Sequence, residues 1–189
     1  MHNIQAATKD QSKEIAQLIM MAMTHECCLH FCGVGYDLDD FRRMMTLLVE
    51  RDDSQYSYRN TLVAMNDNQV IGIAVSYDGG ALHELRKAFI DQAKRFLGRD
   101  HSGMDDETQA GELYLDSLAV LPTHRRQGIA LQLLDATAAR AKRLGLPLVG
   151  LLVDKGNPVG ESLYVKAGFR YANDSMWGGH EMKHLVKSV

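Results

Sequence analysis

Hydrophobic positions change their spacing several times along the chain, and each change predicts an element. The short stretch "NIQAA" suits a first strand. Thr8 or Asp10 can cap the helix after it, whose apolar face is Ile15, Leu18, Ile19, Ala22 and Met23. A second helix follows Asp37 and buries Leu38, Phe41, Met44, Met45 and Leu48. "TLVAM" and "QVIGIAVSY", separated by Asn66, Asp67 and Asn68, read as two strands joined by a tight hairpin.

From Ala81 the spacing turns helical again through Leu82, Leu85, Phe89, Ala93, Phe96 and Leu97. This predicts a helix inserted into the strand succession. The apolar-poor "GRDHSGMDDETQAG" after it predicts a mobile loop, so the whole insertion spans about 81–111. "ELYLDSLAV" is the next strand, stopped by Pro122, which cannot continue a central ladder. Strict alternation along it would set Glu112, Tyr114, Asp116, Leu118 and Val120 on one face. Leu131, Leu133, Leu134, Ala138, Ala141 and Leu144 then share a helical face. The nearly continuous apolar run "PLVGLLV" suits a strand covered on both faces. A helix from Glu161 to Ala167 and the strands "FRYAN" and "HEMKHLV" complete the pattern.

The 189 residues, 46% of them hydrophobic, suffice for one well-formed core, and no linker or repeat divides them, so residues 1–189 are expected to form one domain. No apolar run approaches the roughly 20 residues that cross a bilayer, and "MHNIQAATKD" lacks the apolar core of a signal peptide. A cytoplasmic protein without membrane contact is expected. A net charge of -3 provides no basic field for nucleic acid. Cys27, Cys28 and Cys32 are odd in number and crowded together, which is no disulfide framework and fits a reducing compartment.

"HRRQGIALQLLD" carries a conflict. A helix N-terminus bears partial positive charge, so opening it with His124, Arg125 and Arg126 is unfavourable by about 0.3–1 kcal/mol per cation. Gly128 in a first helical turn loses roughly another 1 kcal/mol against alanine. Two readings follow: a solvated basic turn, or an anion site in which free backbone N–H groups and the helix dipole converge on phosphate. G-x-x-x-x-G-K-S/T and G-x-G-x-x-G are both absent, which sets ATP and NAD behind other phosphates.

The wider segment "LAVLPTHRRQGIA" resembles the pyrophosphate-binding motif of the GNAT superfamily of acetyl-CoA-dependent N-acetyltransferases, Q/R-x-x-G-x-G/A. Arg125, Gly128 and Ala130 stand at its defined positions. "NPVGESLYVKAGF" resembles a later motif of the superfamily, N-x-x-A-x-x-L-Y-x-K-x-G-F. Asn157, Leu163, Tyr164, Lys166, Gly168 and Phe169 match, whereas Gly160 replaces the usual alanine and Pro158 follows the asparagine. The resemblance runs from about Glu112 to Phe169.

It implies an α+β, three-layer α/β/α fold with a central, mixed, mostly antiparallel sheet of six to seven strands and helices on both faces. The sheet would split where the strands after Glu112 and after Pro147 diverge. It also implies direct acetyl transfer from acetyl-CoA, as co-substrate, to a small-molecule or peptide amine in a ternary complex, with no metal. Backbone groups of Arg126, Gln127, Gly128, Ile129 and Ala130 would bind the pyrophosphate, with Arg125 and Arg126 as charge support. The edge of Leu118, Ala119 and Val120 would pair with the pantetheine arm, and Asn157 would hydrogen-bond it. Tyr164 would protonate the departing thiolate, and Asp116 or Glu112, directly or through a water relay, would take the proton of the amine. The bland readings are a Tyr164 that only packs and an Asp116 that only caps local structure. Related enzymes are often dimers, so a homodimer is implied as well.

Other constellations carry less. "THECCLHFC" holds six zinc-type ligands within a segment too short to close a tetrahedron, so its cysteines are expected to pack between the first two helices. His25, His30 or Tyr36 would border the acceptor. Ser117 and Ser162 lie in no nucleophile elbow, which argues against covalent acyl transfer. The run Met104 to Glu107 is read as solvated loop charge, with the mouth of an acceptor cleft as its alternative. Two rival functions are kept: a CoA-binding or ligand-sensing module without catalysis, and a nucleotide-binding protein.

Overall fold

A computed structural model describes residues 3–189. Seven strands form one sheet in the order β1-β2-β3-β4-β5-β7-β6. They are β1 (Asn3–Ala6), β2 (Thr61–Asn66), β3 (Gln69–Asp78), β4 (Glu112–Val120), β5 (Leu148–Asp154), β6 (Arg170–Trp177) and β7 (His180–Ser188). All neighbouring pairs are antiparallel except β4 and β5. The expected α+β three-layer fold with a mixed, mostly antiparallel sheet is therefore present.

Helices α1 (Ser12–Met23), α2 (His25–Cys32), α3 (Leu38–Glu50) and α4 (Leu82–Leu97) cover one face, packing Ile15, Ile19, Phe31, Met44, Leu48 and Phe89 against Val63, Ile73, Val75 and Ala119. On the other face lie α5 (Ile129–Arg143) and α6 (Pro158–Lys166), where Leu133, Leu134 and Ala141 meet Ile71, Leu113, Leu115 and Leu151. Among the described residues no single helix is long and apolar enough to cross a membrane.

Three expectations change. The cysteine segment is itself a helix, α2, with Cys28, Phe31 and Cys32 buried at i, i+3 and i+4 spacing, so two of the cysteines do pack as small apolar groups. The stretch after α4 folds back onto the protein instead of hanging free: His101 is buried against Phe31 and Phe89, with ring centroids 5.0 and 5.6 Å away. Leu144 caps the end of α5 with its side chain exposed, because the buried face of that helix ends at Ala141.

Candidate active site

β4 and β5 pair only over three positions, Glu112 to Tyr114 against Leu148 to Gly150. Beyond them the strands part, and a cleft of about 290 Å³ opens between Asp116, Ser117 and Leu118 of β4 and Leu152, Val153 and Asp154 of β5. Asn157 and Tyr164 enter it from α6. Met23, Thr24 and Cys27 enter from the joint between α1 and α2, and Trp177 and His180 from the β6–β7 hairpin. Thr24 holds φ at +72°, a backbone region that β-branched residues rarely adopt. Its hydroxyl accepts the Cys27 N–H at 3.3 Å and so caps α2.

A β-bulge interrupts β4 where it lines the cleft. Val75 pairs with Ser117 and Ser76 with Leu115, leaving Asp116 as an extra residue without a partner on β3. The expected alternation breaks there: Leu113 and Leu115 face α5 before the bulge, and Leu118 and Val120 face it afterwards. Asp116 therefore shares the cleft with its neighbour Ser117, whose hydroxyl donates to Asp116 Oδ1 at 2.8 Å. Gln55 Nε2 and the Tyr77 hydroxyl donate to Oδ2 at 3.3 and 3.4 Å. Burial, and then the negative charge of Glu107, push the Asp116 carboxyl up to about 7.

Glu107 lies at the end of the run read as solvated charge, yet it is buried and lines the cleft. Its Oε1 accepts the Tyr77 hydroxyl at 2.9 Å and Gln55 Nε2 at 3.3 Å. Its Oε2 is ion-paired with Arg86 of α4, which is itself 4% exposed. Arg86 also donates to Asp106 Oδ1 at 3.0 Å and to the Asp105 carbonyl at 2.9 Å. A buried cation thereby fixes the loop that walls the cleft. One sequence signal pointed here: Arg86 stands among Leu82, Leu85 and Phe89 on the apolar face of its helix.

Glu112, the other carboxylate considered on β4, lies outside this cleft. Its Oε1 accepts the Thr108 hydroxyl at 2.6 Å, and Oε2 lies 2.9 Å from His184 Nε2. Its carboxyl group lies over Gly150, where a Cβ would collide with it. Tyr164 does face the cleft. Burial pushes its phenol up to about 12, and its ring stands edge-on to Phe169 with centroids 5.9 Å apart.

The turn before α5 resolves the conflict of cations and glycine. Gly128 sits before the helix, as its N-cap, at φ +79°, so a conformation open to glycine replaces the helical penalty. Arg126 is also left-handed, at φ +63°. The first intrahelical bond runs from Gln132 N–H to Gly128 O, and the N-cap glycine has no side chain to cap the start, so the N–H groups of Ile129, Ala130 and Leu131 lie at the helix end without an intrahelical partner. Arg125 and Arg126 are exposed beside them. Arg125 Nε donates to the Val120 carbonyl at 3.2 Å. Among the described residues, the β5-facing edge of β4 beyond Tyr114 has no strand partner. Asn157 caps α6 by accepting the Gly160 N–H at 2.9 Å, with Pro158 in the first turn, so that helix begins before Glu161.

A profile of the acetyltransferase (GNAT) family matches residues 36–169, which includes the turn, the splayed strands and α6. The chain belongs to that family. A crystal structure of an acetyltransferase superposes on this GNAT protein with a TM-score of 0.82 at 26% identity, over 99% of each chain. An N-acetyltransferase from Staphylococcus aureus Mu50 follows at 0.81 and 20% identity, over 98% of this chain and 100% of that one. A ribosomal-protein-alanine N-acetyltransferase from Brucella melitensis shares the fold at 0.62 and 18% identity, over 99% of each chain. No curated protein matches the chain.

Proposed function

We propose that this GNAT protein is an acetyl-CoA-dependent N-acetyltransferase that passes the acetyl group directly to an amine. The observation that carries the reading is the convergence of Asp116 and Tyr164 on one cleft between splayed strands. Bound acetyl-CoA supplies an activated thioester. The residues present fit it. The outward N–H groups of Ile129, Ala130 and Leu131, with Arg125 and Arg126, suit a diphosphate. The free β4 edge suits the amide groups of the pantetheine arm, and Asn157 lines the path.

Asp116 is the base. Amines at neutral pH are mostly ammonium, and a carboxylate at about 7 can take their proton near that pH. Tyr164 keeps its proton in the resting protein and presents it where the thiolate departs. Burial that raises the phenol raises a thiolate in the same cleft too, so the transfer does not meet the full difference between phenol and thiol in water. Cys27 is no rival nucleophile, because burial and Asp116 push its thiol up to about 11. The cleft presents Glu107, Asp116 and Asp154 and, among its described lining residues, no lysine or arginine. That supports a small-molecule or peptide amine with no carboxylate beside it.

The test is release of CoA thiol against a panel of amines. Turnover with cationic amines, falling steeply in Asp116→Asn and Tyr164→Phe, is expected. Tight acetyl-CoA binding without turnover on any amine would instead assign the protein to carrier binding alone.

A further inference from the structure

Of the three carboxylates that line the cleft, Glu107 and Asp116 stand together, and Arg86 pairs with the first of them. Glu107 and Asp116 share two donors, the Tyr77 hydroxyl and the Gln55 amide, each within 3.4 Å of both. The single Tyr77 proton lies nearer Glu107, at 2.9 Å against 3.4 Å for Asp116. Arg86 is committed to Glu107, Asp106 and the loop carbonyls, so Asp116 has no cation of its own among the described residues.

We propose that Glu107, clamped by Arg86 of the inserted helix α4, is a positioning residue that sets the basicity of Asp116 through its charge and their shared hydrogen bonds. The inference rests on Asp116 being the base.

The other groups around Asp116 leave Glu107 as the neighbour that acts. Tyr56, before β2, Tyr77 of β3 and Tyr114 of β4 are raised by burial well above the ordinary phenol range and stay neutral. Cys27 of α2, at about 11, is a neutral thiol. Asp154 of β5 and His180 of β7 line the same cleft and lie 3.3 Å from each other. Ser117 donates to Asp116 and opposes the effect of Glu107. Arg86 acts in the same sense as Ser117, by offsetting the charge of Glu107.

The two halves of the Arg86–Glu107 pair must therefore act with opposite signs. Glu107→Gln removes a negative charge beside Asp116 and leaves a cation, so the acid limb of kcat/KM moves down by about one pH unit or more. Arg86→Gln leaves Glu107 uncompensated, so the limb moves up. A purely structural pair would shift the limb in the same direction from either side, or not at all. Either result in folded protein overturns the proposal. A titration of the side-chain carboxyl carbons by NMR in the unsubstituted protein needs no variant to fold. Asp116 titrating near neutrality while Glu107 is ionised supports the proposal, and Asp116 titrating in the ordinary carboxylate range overturns it. Asp116→Asn separates the two readings. Should it keep the acid limb while the Asp116 carboxyl still responds to Glu107→Gln, Asp116 is not the base although Glu107 tunes it.

Discussion

Two carboxylates on β4, four residues apart, have opposite surroundings. Glu112 enters the sheet where β4 still pairs with β5, and there it is 1% exposed between Thr108 and His184. Asp116 stands on the bulge where that pairing has ended, lining the cleft and raised by burial to about 7. The same side-chain chemistry serves to join strands at one end and is available for proton transfer at the other. The difference comes from backbone: one extra residue and a parted ladder decide which carboxylate faces the cleft.

The comparison can be broken at several points. The largest effect is expected from Asp116→Asn, which should lower kcat/KM by about 10²–10⁴-fold and remove the acid limb near pH 7, read from thiol release across pH. Tyr164→Phe should slow the chemical step by about 10²-fold in single-turnover kinetics, while acetyl-CoA affinity holds. Glu112→Ala should do the reverse. It strands the His184 ring and the Thr108 hydroxyl and lowers stability by about 1–3 kcal/mol in urea unfolding, with CoA affinity unchanged. Arg126→Glu should weaken acetyl-CoA binding about tenfold by calorimetry and leave stability unaltered.

A smaller effect concerns stability and pH. Folding raises the Asp116 pKa from 3.8 to about 7, so its neutral form belongs to the folded state. The stabilising share of that group is complete below the unfolded value of 3.8, shrinks as pH rises from there and is gone above about 7. Asp116→Asn, neutral throughout, should therefore gain Tm relative to the unsubstituted protein, most at pH 8, less at pH 5 and not at all below about pH 4. A carboxyl group held in surroundings that disfavour its charge leaves that mark.

The sheet and the glycine-containing turn before α5 were legible in the sequence. Alternation and helical spacing are local, and so is the glycine-containing turn at Arg125 to Ala130, whose residues are contiguous. The acceptor end was harder for a physical reason. Glu107 is buried only because Arg86, 21 residues away in sequence, and Tyr77 of another strand come to meet it. Nothing in "MDDE" itself announces that. The bulge at Asp116 was invisible too, since a skipped partner lies in the pairing of β3 with β4 and leaves no local pattern in either strand. α2 was legible in hindsight from Cys28, Phe31 and Cys32, whose spacing is helical although the segment's metal-binding side chains drew the eye.

The central claim is that the parted strands receive a thioester carrier with its reactive end at Asp116. A crystal structure with acetyl-CoA bound tests this most directly. The diphosphate should lie on the N–H groups of Ile129, Ala130 and Leu131, with the sulfur within hydrogen-bond reach of the Tyr164 hydroxyl and the acetyl carbon opening toward Asp116. A carrier seated away from the turn before α5, or a thioester remote from both Asp116 and Tyr164, would contradict the account.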